Sequence, residues 1–263
     1  MEGPHADTIA ISRVARELSA DSLRGRGPWT IENERVARRL ARDLERLGAR
    51  PVFGSSLLVP FTSEPHPHDT VFNVIGALPS RSHSIDGELV GITAHLDHLG
   101  VGAPDSTGDR IYNGFLDDAV SIGMILDVAR RYRDRPGDRA LVVMFFNLEE
   151  QGLLGSKALV KRTDAKGVLD RMKLLIEVDA GSPAGEAMEW QLAGGLPPHA
   201  GARLADSLAK LRGWTTYSTA IRPISDFYPL AQAGVPSIFP IPGTVWRNYS
   251  PVERAAAMAT FDH

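Results

Sequence analysis

The run Ala140-Leu141-Val142-Val143-Met144-Phe145-Phe146, followed at once by Asn147-Leu148-Glu149-Glu150, decides how this chain reads. An unbroken apolar run without polar alternation, rich in valine and phenylalanine, is the pattern of a central strand buried on both faces. It ends on two carboxylates. Two further runs repeat the arrangement. Glu88 to Thr93 reads as a strand and leads into Ala94-His95-Leu96-Asp97-His98, and Leu174 to Val178 leads into Asp179. Pro236 to Ile241 is a late buried strand, and Thr70 to Leu78 also reads as a strand.

Helical periodicity fills the intervals. Thr8 to Leu18 and Ile31 to Leu47 each place aliphatic residues on one face, with Gly48 as C-cap of the second. Asp117 to Tyr132, Gly152 to Arg162 and Ala200 to Leu211 also read as helices. Strands alternating with helices imply an α/β fold: a mixed, mostly parallel central sheet with helices on both faces. The 263 residues, without repeats or an evident linker, suit one domain spanning 1–263. The 43% hydrophobic content is enough to fill such a core.

The bulk composition excludes several classes of function. A net charge of −3 gives no basic face for nucleic acid. No apolar stretch approaches the ~20 residues of a membrane helix. The N-terminus lacks a basic segment followed by an apolar one, so no signal peptide is visible. The chain as it stands reads as cytoplasmic, and one trimmed of its leader would read the same. With 0 cysteines, any metal must sit on nitrogen or oxygen ligands.

In open α/β sheets ligands bind beyond the carboxyl ends of the strands. Here those ends carry His95, Asp97, Glu149, Glu150 and Asp179, and the pair Asp117-Asp118 follows the loop Tyr112 to Leu116. Singly, each has an ordinary structural reading. His95 would be a core histidine, Asp117 a helix N-cap, and Asp118 a residue favoured by the helix dipole. Together, clustered carboxylates repel one another and are costly to desolvate, and a divalent cation relieves both effects. Nitrogen and oxygen donors without sulfur suit catalytic zinc, and two ions sharing a carboxylate would form a hydrolytic clamp.

At these residues the chain resembles metallopeptidase family 28, the co-catalytic zinc aminopeptidases, whose relatives include glutaminyl cyclases. Thr93-Ala94-His95-Leu96-Asp97-His98-Leu99-Gly100 is similar to the family's S-A-H-Y-D-H-L-G. Asn113-Gly114-Phe115-Leu116-Asp117-Asp118-Ala119 is similar to N-G-A-L-D-N-A, and Leu148-Glu149-Glu150-Gln151-Gly152-Leu153-Leu154-Gly155-Ser156 to A-E-E-Q-G-L-L-G-S. Ser225-Asp226-Phe227-Tyr228-Pro229-Leu230 resembles S-D-H-x-P-F, and Leu23-Arg24-Gly25-Arg26-Gly27 also resembles family sequence.

The resemblance implies an aminopeptidase that takes peptides with a free N-terminus, through a metal-activated water. It implies that His95 and Asp179 hold one zinc ion, that Asp117 bridges to a second, and that Glu150 binds the second. It makes Glu149 the general base and places Asp97 behind His95, fixing its ring. The family's final histidine ligand, in a run like G-L-H-P-D-Y-H-T-P, falls on Tyr249 of Gly243 to Pro251, and Phe227 replaces the histidine of S-D-H. Three expectations follow. Tyr249 is a weak oxygen ligand, giving one tight zinc and a second, weaker one. Alternatively a single zinc sits on His95, Asp117 and Asp179, as in a glutaminyl-cyclase-like acyltransferase. Or the cleft binds without catalysis.

Overall fold

The computed structural model describes residues 5–179, 185–247, 250 and 252–253. Its frame is a sheet of nine strands: β1 (Arg50–Pro51), β2 (Leu58–Ser63), β3 (His66–Leu78), β4 (Leu89–His95), β5 (Ala140–Phe146), β6 (Met172–Glu177), β7 (Glu189–Leu196), β8 (Thr215–Ala220) and β9 (Ser237–Pro242). Their spatial order is β1-β3-β5-β4-β6-β9-β7-β8, with β2 also pairing with β3. The centre, β5-β4-β6-β9, is parallel throughout. The pairs β3–β5 and β9–β7 are antiparallel, so the sheet is mixed.

Two cores follow from the period-2 alternation of side chains along each strand. On β5, Leu141, Val143 and Phe145 face one core, while Val142, Met144 and Phe146 face the other. The first core is closed by α1 (Thr8–Leu18), α2 (Ile31–Arg46) and α3 (Val120–Asp134), through Leu18, Leu40, Leu44, Ile122 and Ile125. The second is closed by α4 (Leu154–Val160), α5 (Lys166–Leu169) and α7 (Phe227–Gln232), the last two either side of α6 (Ala200–Leu211) in the chain. The N-termini of α1 and α2 are capped by Asp7, which accepts from Ala10 N at 3.0 Å, and by Thr30, which accepts from Asn33 N at 3.2 Å. Among the described residues no helix is long and apolar enough to cross a membrane.

The structure adds the short elements β1, β2, α5 and α7 to the sequence reading and departs from it most clearly in three places. The strand expected from Thr70 begins at His66, because β2 pairs with that polar stretch as a hairpin. The strands β7 and β8 were not expected. The first contains Gly194 and Gly195, and the second is an edge strand of threonine and serine, so neither shows a clear apolar pattern. The third departure concerns Asp117 and Asp118, which do not open a helix. They lie in a distorted turn, Phe115–Ala119, with non-helical backbone angles, and regular helix starts at Val120.

Because β4, β5, β6 and β9 run in parallel, their carboxyl ends meet at one edge. The hydrophobic frame that aligns them is tight, and Phe145 at its centre is 0% exposed. Phe145→Ala should lower the unfolding free energy by about 3–5 kcal/mol, the range for emptying a core aromatic site. Urea denaturation of parent and variant measures this directly.

Candidate metal centre

The edge of the parallel strands gathers two groups of donor atoms. His95, Asp118 and Asp179 form one, and His98, Asp117 and Glu150 form the other; within each group the donor atoms lie within 4.8 Å of one another. The groups touch through Asp117, whose Oδ1 is 2.7 Å from His95 Nε2, while Asp179 Oδ1 is 3.5 Å from the same nitrogen. The structure therefore assembles five expected residues: His95, Asp97, Asp117, Glu150 and Asp179. It adds two that the residue patterns had not marked as ligands, Asp118 and His98. Tyr249, the remaining expected ligand, lies outside the described residues.

Each side chain is placed by local backbone. His95 is the last residue of β4. Its main-chain N–H donates to Asp118 Oδ2 at 3.3 Å, which ties the distorted turn to the strand end. Just beyond β4, Asp97 has no exposed surface. Its carboxylate accepts from the main-chain N–H groups of Glu149, at 3.1 Å, and of Glu150, at 3.3 Å. Asp97 also stands behind His95, where its carbonyl oxygen lies 3.2 Å and its carboxylate 3.8 Å from Nδ1. One aspartate thus fixes both the imidazole and the Glu149-Glu150 turn. Gly114 opens the turn that holds Asp117, at φ 62°. A Cβ there would lie 2.3 Å from Asp117 O and 2.6 Å from His98 Cδ2, so only glycine fits.

Two more buried acids lie beneath this layer. Glu177, the last residue of β6, accepts from the main-chain N–H of Phe227 at 2.7 Å, and Asp226 accepts from the Ser156 hydroxyl. Phe227 stands where the family resemblance expects a histidine. Its ring is fully buried and meets Phe239 edge-on at 5.7 Å, so the backbone contact to Glu177 is kept while the side chain joins the core. Sequence reading missed Glu177 because it closes an apolar run and so passed as part of a strand.

The electrostatics explain why a cation fits. Burial raises the Glu149 carboxyl to about 9, helped by Asp226, Asp179 and Asp97 and opposed by His95. Burial likewise raises Asp226 to about 8, and pushes Asp118 and Glu177 well above the usual carboxylate range, with Asp179 adding to the effect on Asp118. His95 moves the other way. Burial opposes its charge, but contacts with Asp117, Asp179 and Asp97 outweigh this and hold the imidazole proton well above the ordinary value. Protons are thus serving as counter-ions among crowded carboxyls. Two imidazoles and several carboxylates, without sulfur, form a donor set that suits a divalent ion able to replace those protons.

The sequence model for peptidase family M28 matches residues 73–256. The chain belongs to peptidase family M28. The M28 chain also shares its fold with solved structures at low identity. A leucine aminopeptidase precursor from Bacteroides thetaiotaomicron matches at TM-score 0.68 and 17% identity, covering 99% of this chain and 96% of that one. The zinc aminopeptidase BSAP from Bacillus subtilis matches at TM-score 0.69 and 14% identity, covering 99% and 94%. A glutaminyl cyclase from Bacteroides thetaiotaomicron, bound to N-acetylhistamine, matches at TM-score 0.68 and 16% identity, covering 99% and 96%. No curated protein sequence matches the chain.

A pH dependence follows for this M28 centre. A histidine must be neutral to ligate, and metal-free His95 keeps its proton above the ordinary histidine range. Zinc binding must displace that proton. Affinity should rise with pH through the neutral range and level off once His95 is deprotonated without metal. Calorimetric titration of zinc in buffers of different ionisation enthalpy should show net proton release at pH 7; zero release would contradict the raised His95.

Proposed function

We propose that this M28 protein is a zinc-dependent exopeptidase of the aminopeptidase type, removing N-terminal residues from peptides with Glu149 as general base. The observation that carries the reading is the position of Glu149. It stands beside His95 and Asp179 closely enough for each to influence its ionisation, yet it belongs to neither donor group. Once a bound cation displaces the proton that burial holds on it, a carboxylate adjacent to a metal centre but not engaged by it is available for proton transfer.

His95, Asp179 and Asp117 would hold zinc, with Asp118 also within reach, and Glu150 would face a second ion across Asp117. Tyr249 falls at the position from which the family pattern takes a further ligand for that ion. Bound zinc supplies positive charge that polarises the scissile carbonyl and acidifies water. The protein residues do the rest. Glu149 accepts a proton from the attacking water as its oxygen bonds to the carbonyl carbon. When the C–N bond breaks, Glu149 returns that proton to the departing nitrogen, giving a free amino acid and a peptide one residue shorter. Asp97 keeps Glu149 in place by holding the main-chain N–H groups of residues 149 and 150.

Specificity for a free N-terminus is supported by charge. With all of Asp97, Asp117, Asp118, Glu149, Glu150 and Asp179 ionised, six negative charges face two divalent ions and the buried Arg26, and the remaining negative charge favours an incoming ammonium over a carboxylate. Arg26 is fully buried. Arg222 is exposed, and Arg247 is taken up by Glu186 at 3.3 Å on the surface. These cations offer no evident partner for the carboxylate that a carboxypeptidase must bind.

Glu149→Gln should retain zinc while lowering kcat about 10²–10⁴-fold on an aminoacyl chromogen, the usual value of a general base. Equal turnover in parent and variant would overturn the assignment. The same preparations incubated with an N-terminal glutaminyl peptide separate two chemistries by mass. Loss of a residue supports the aminopeptidase, whereas loss of ammonia with the chain intact identifies an acyltransferase.

A further inference from the structure

The family pattern takes the nitrogen ligand of its second metal from the run containing residue 249, where this chain has tyrosine. The described residues contain another imidazole at that place. His98 follows β4 by three residues, is 0% exposed, and sets Nδ1 2.8 Å from Glu150 Oε1. Asp117 completes the group, its donor atom within 4.8 Å of those of His98 and Glu150. We propose that His98 is itself a ligand of the second metal. The Glu150 site is then complete as His98, Asp117 and Glu150, without a contribution from Tyr249. The inference rests on the metal reading of the same centre.

Three observations support ligation over a purely orienting role. The first is chemical. The group offers one imidazole and two carboxylates, three protein donors, which is the usual protein contribution to a catalytic zinc site. The second is rigidity. The His98 main-chain N–H donates to Arg26 O at 3.3 Å, and its ring edge lies against the Gly114 turn, where even a methyl group would come within 2.6 Å. A ring so confined stays directed at Glu150 and Asp117. The third is distance. Tetrahedral zinc with bonds of about 2.0–2.2 Å holds neighbouring donors roughly 3.3 Å apart. A pair at 2.8 Å therefore has to open only slightly to admit the ion.

The rival account keeps His98 as a hydrogen-bond partner that orients Glu150 while Tyr249 ligates. Such an outer partner is worth about 10–100-fold in metal affinity, and a glutamine can replace its hydrogen bond but is a poor zinc donor. Zinc should therefore be titrated into metal-free parent, His98→Ala, His98→Gln and Tyr249→Phe, with bound metal counted by elemental analysis. X-ray absorption at the zinc edge then counts imidazoles in each loaded protein. Circular dichroism and retention of the first zinc report on folding.

The inference expects two zinc ions in the parent, with one imidazole per zinc on average. It expects second-ion affinity to fall by more than ~100-fold in both His98 variants, and both ions to remain in Tyr249→Phe. It is overturned if His98→Gln restores the second ion. It is also overturned if Tyr249→Phe loses that ion while the His98 variants keep it. A parent that binds one zinc overturns this inference alone. A parent that binds none overturns it together with the zinc reading of the proposed function.

Discussion

One buried guanidinium holds the functional edge together. Arg26 is 0% exposed, and among the described residues its guanidinium donates to main-chain carbonyls alone. Its Nε donates to Leu96 O at 3.1 Å, Nη1 to Leu18 O at 2.8 Å and Asn113 O at 2.9 Å, and Nη2 to Gly114 O at 3.0 Å and Asp117 O at 3.1 Å. It thereby joins the end of the first helix, the exit of β4 and the turn that presents Asp117. A carbonyl left buried without a donor by its loss would cost about 1–3 kcal/mol. Burial lowers the Arg26 pKa to about 10, while Asp97, Asp118, Asp117 and Glu150 act in the opposite direction. Arg26 therefore stays charged at neutral pH and offsets part of the negative field from the groups it positions.

That field is the second organising constraint. Four of the acids at the strand ends have a specific hydrogen-bond partner. Asp97 takes two main-chain N–H groups, Asp118 takes the His95 N–H, Glu177 takes the Phe227 N–H, and Asp226 takes the Ser156 hydroxyl. These bonds set orientation but do not remove the repulsion, which is why several of the carboxyls hold protons so strongly. The arrangement is preorganised for a cation rather than relaxed around its own charges. Replacement of the family histidine by Phe227 fits this picture. The backbone at residue 227 still serves Glu177, and the aromatic ring seals the core below.

How much of this was legible in the sequence depended on whether the signal was local. The buried parallel strands could be read because each is an uninterrupted apolar run, and the residues after them announced themselves as His or carboxylate where apolar pattern stops. Helices α1, α2 and α6 showed a clean period. The Asp117-Asp118 pair misled, because two acids before an apolar periodic stretch look like a helix start, and nothing local reports that Arg26 and His95 draw that backbone into a turn. His98 was part of a quoted motif yet had no assigned chemistry, since its approach to Glu150 spans 52 positions. Arg26 was the least legible. An arginine among glycines reads as a loop, and four of the five carbonyls it meets lie 70 or more positions away.

The glycines around Arg26 carry a consequence for how this region can change over time. Gly25 lies so close to its neighbours that a Cβ would fall 2.3 Å from Tyr112 O and 2.6 Å from Gly100 O, and one on Gly27 would fall 3.0 Å from the Gly100 Cα. Main chain here stacks on main chain with no side chain between. Such a junction has no intermediate sizes through which to drift, because the first added carbon already collides with backbone, which cannot rotate away. Substitution at one position cannot be absorbed by a smaller residue at another, since the partners have nothing left to trim. Random variation should therefore leave these positions untouched while the surrounding surface diverges, and a recombined gene must inherit the residue 25–27 segment and the residue 100 loop from one parent as a matched set.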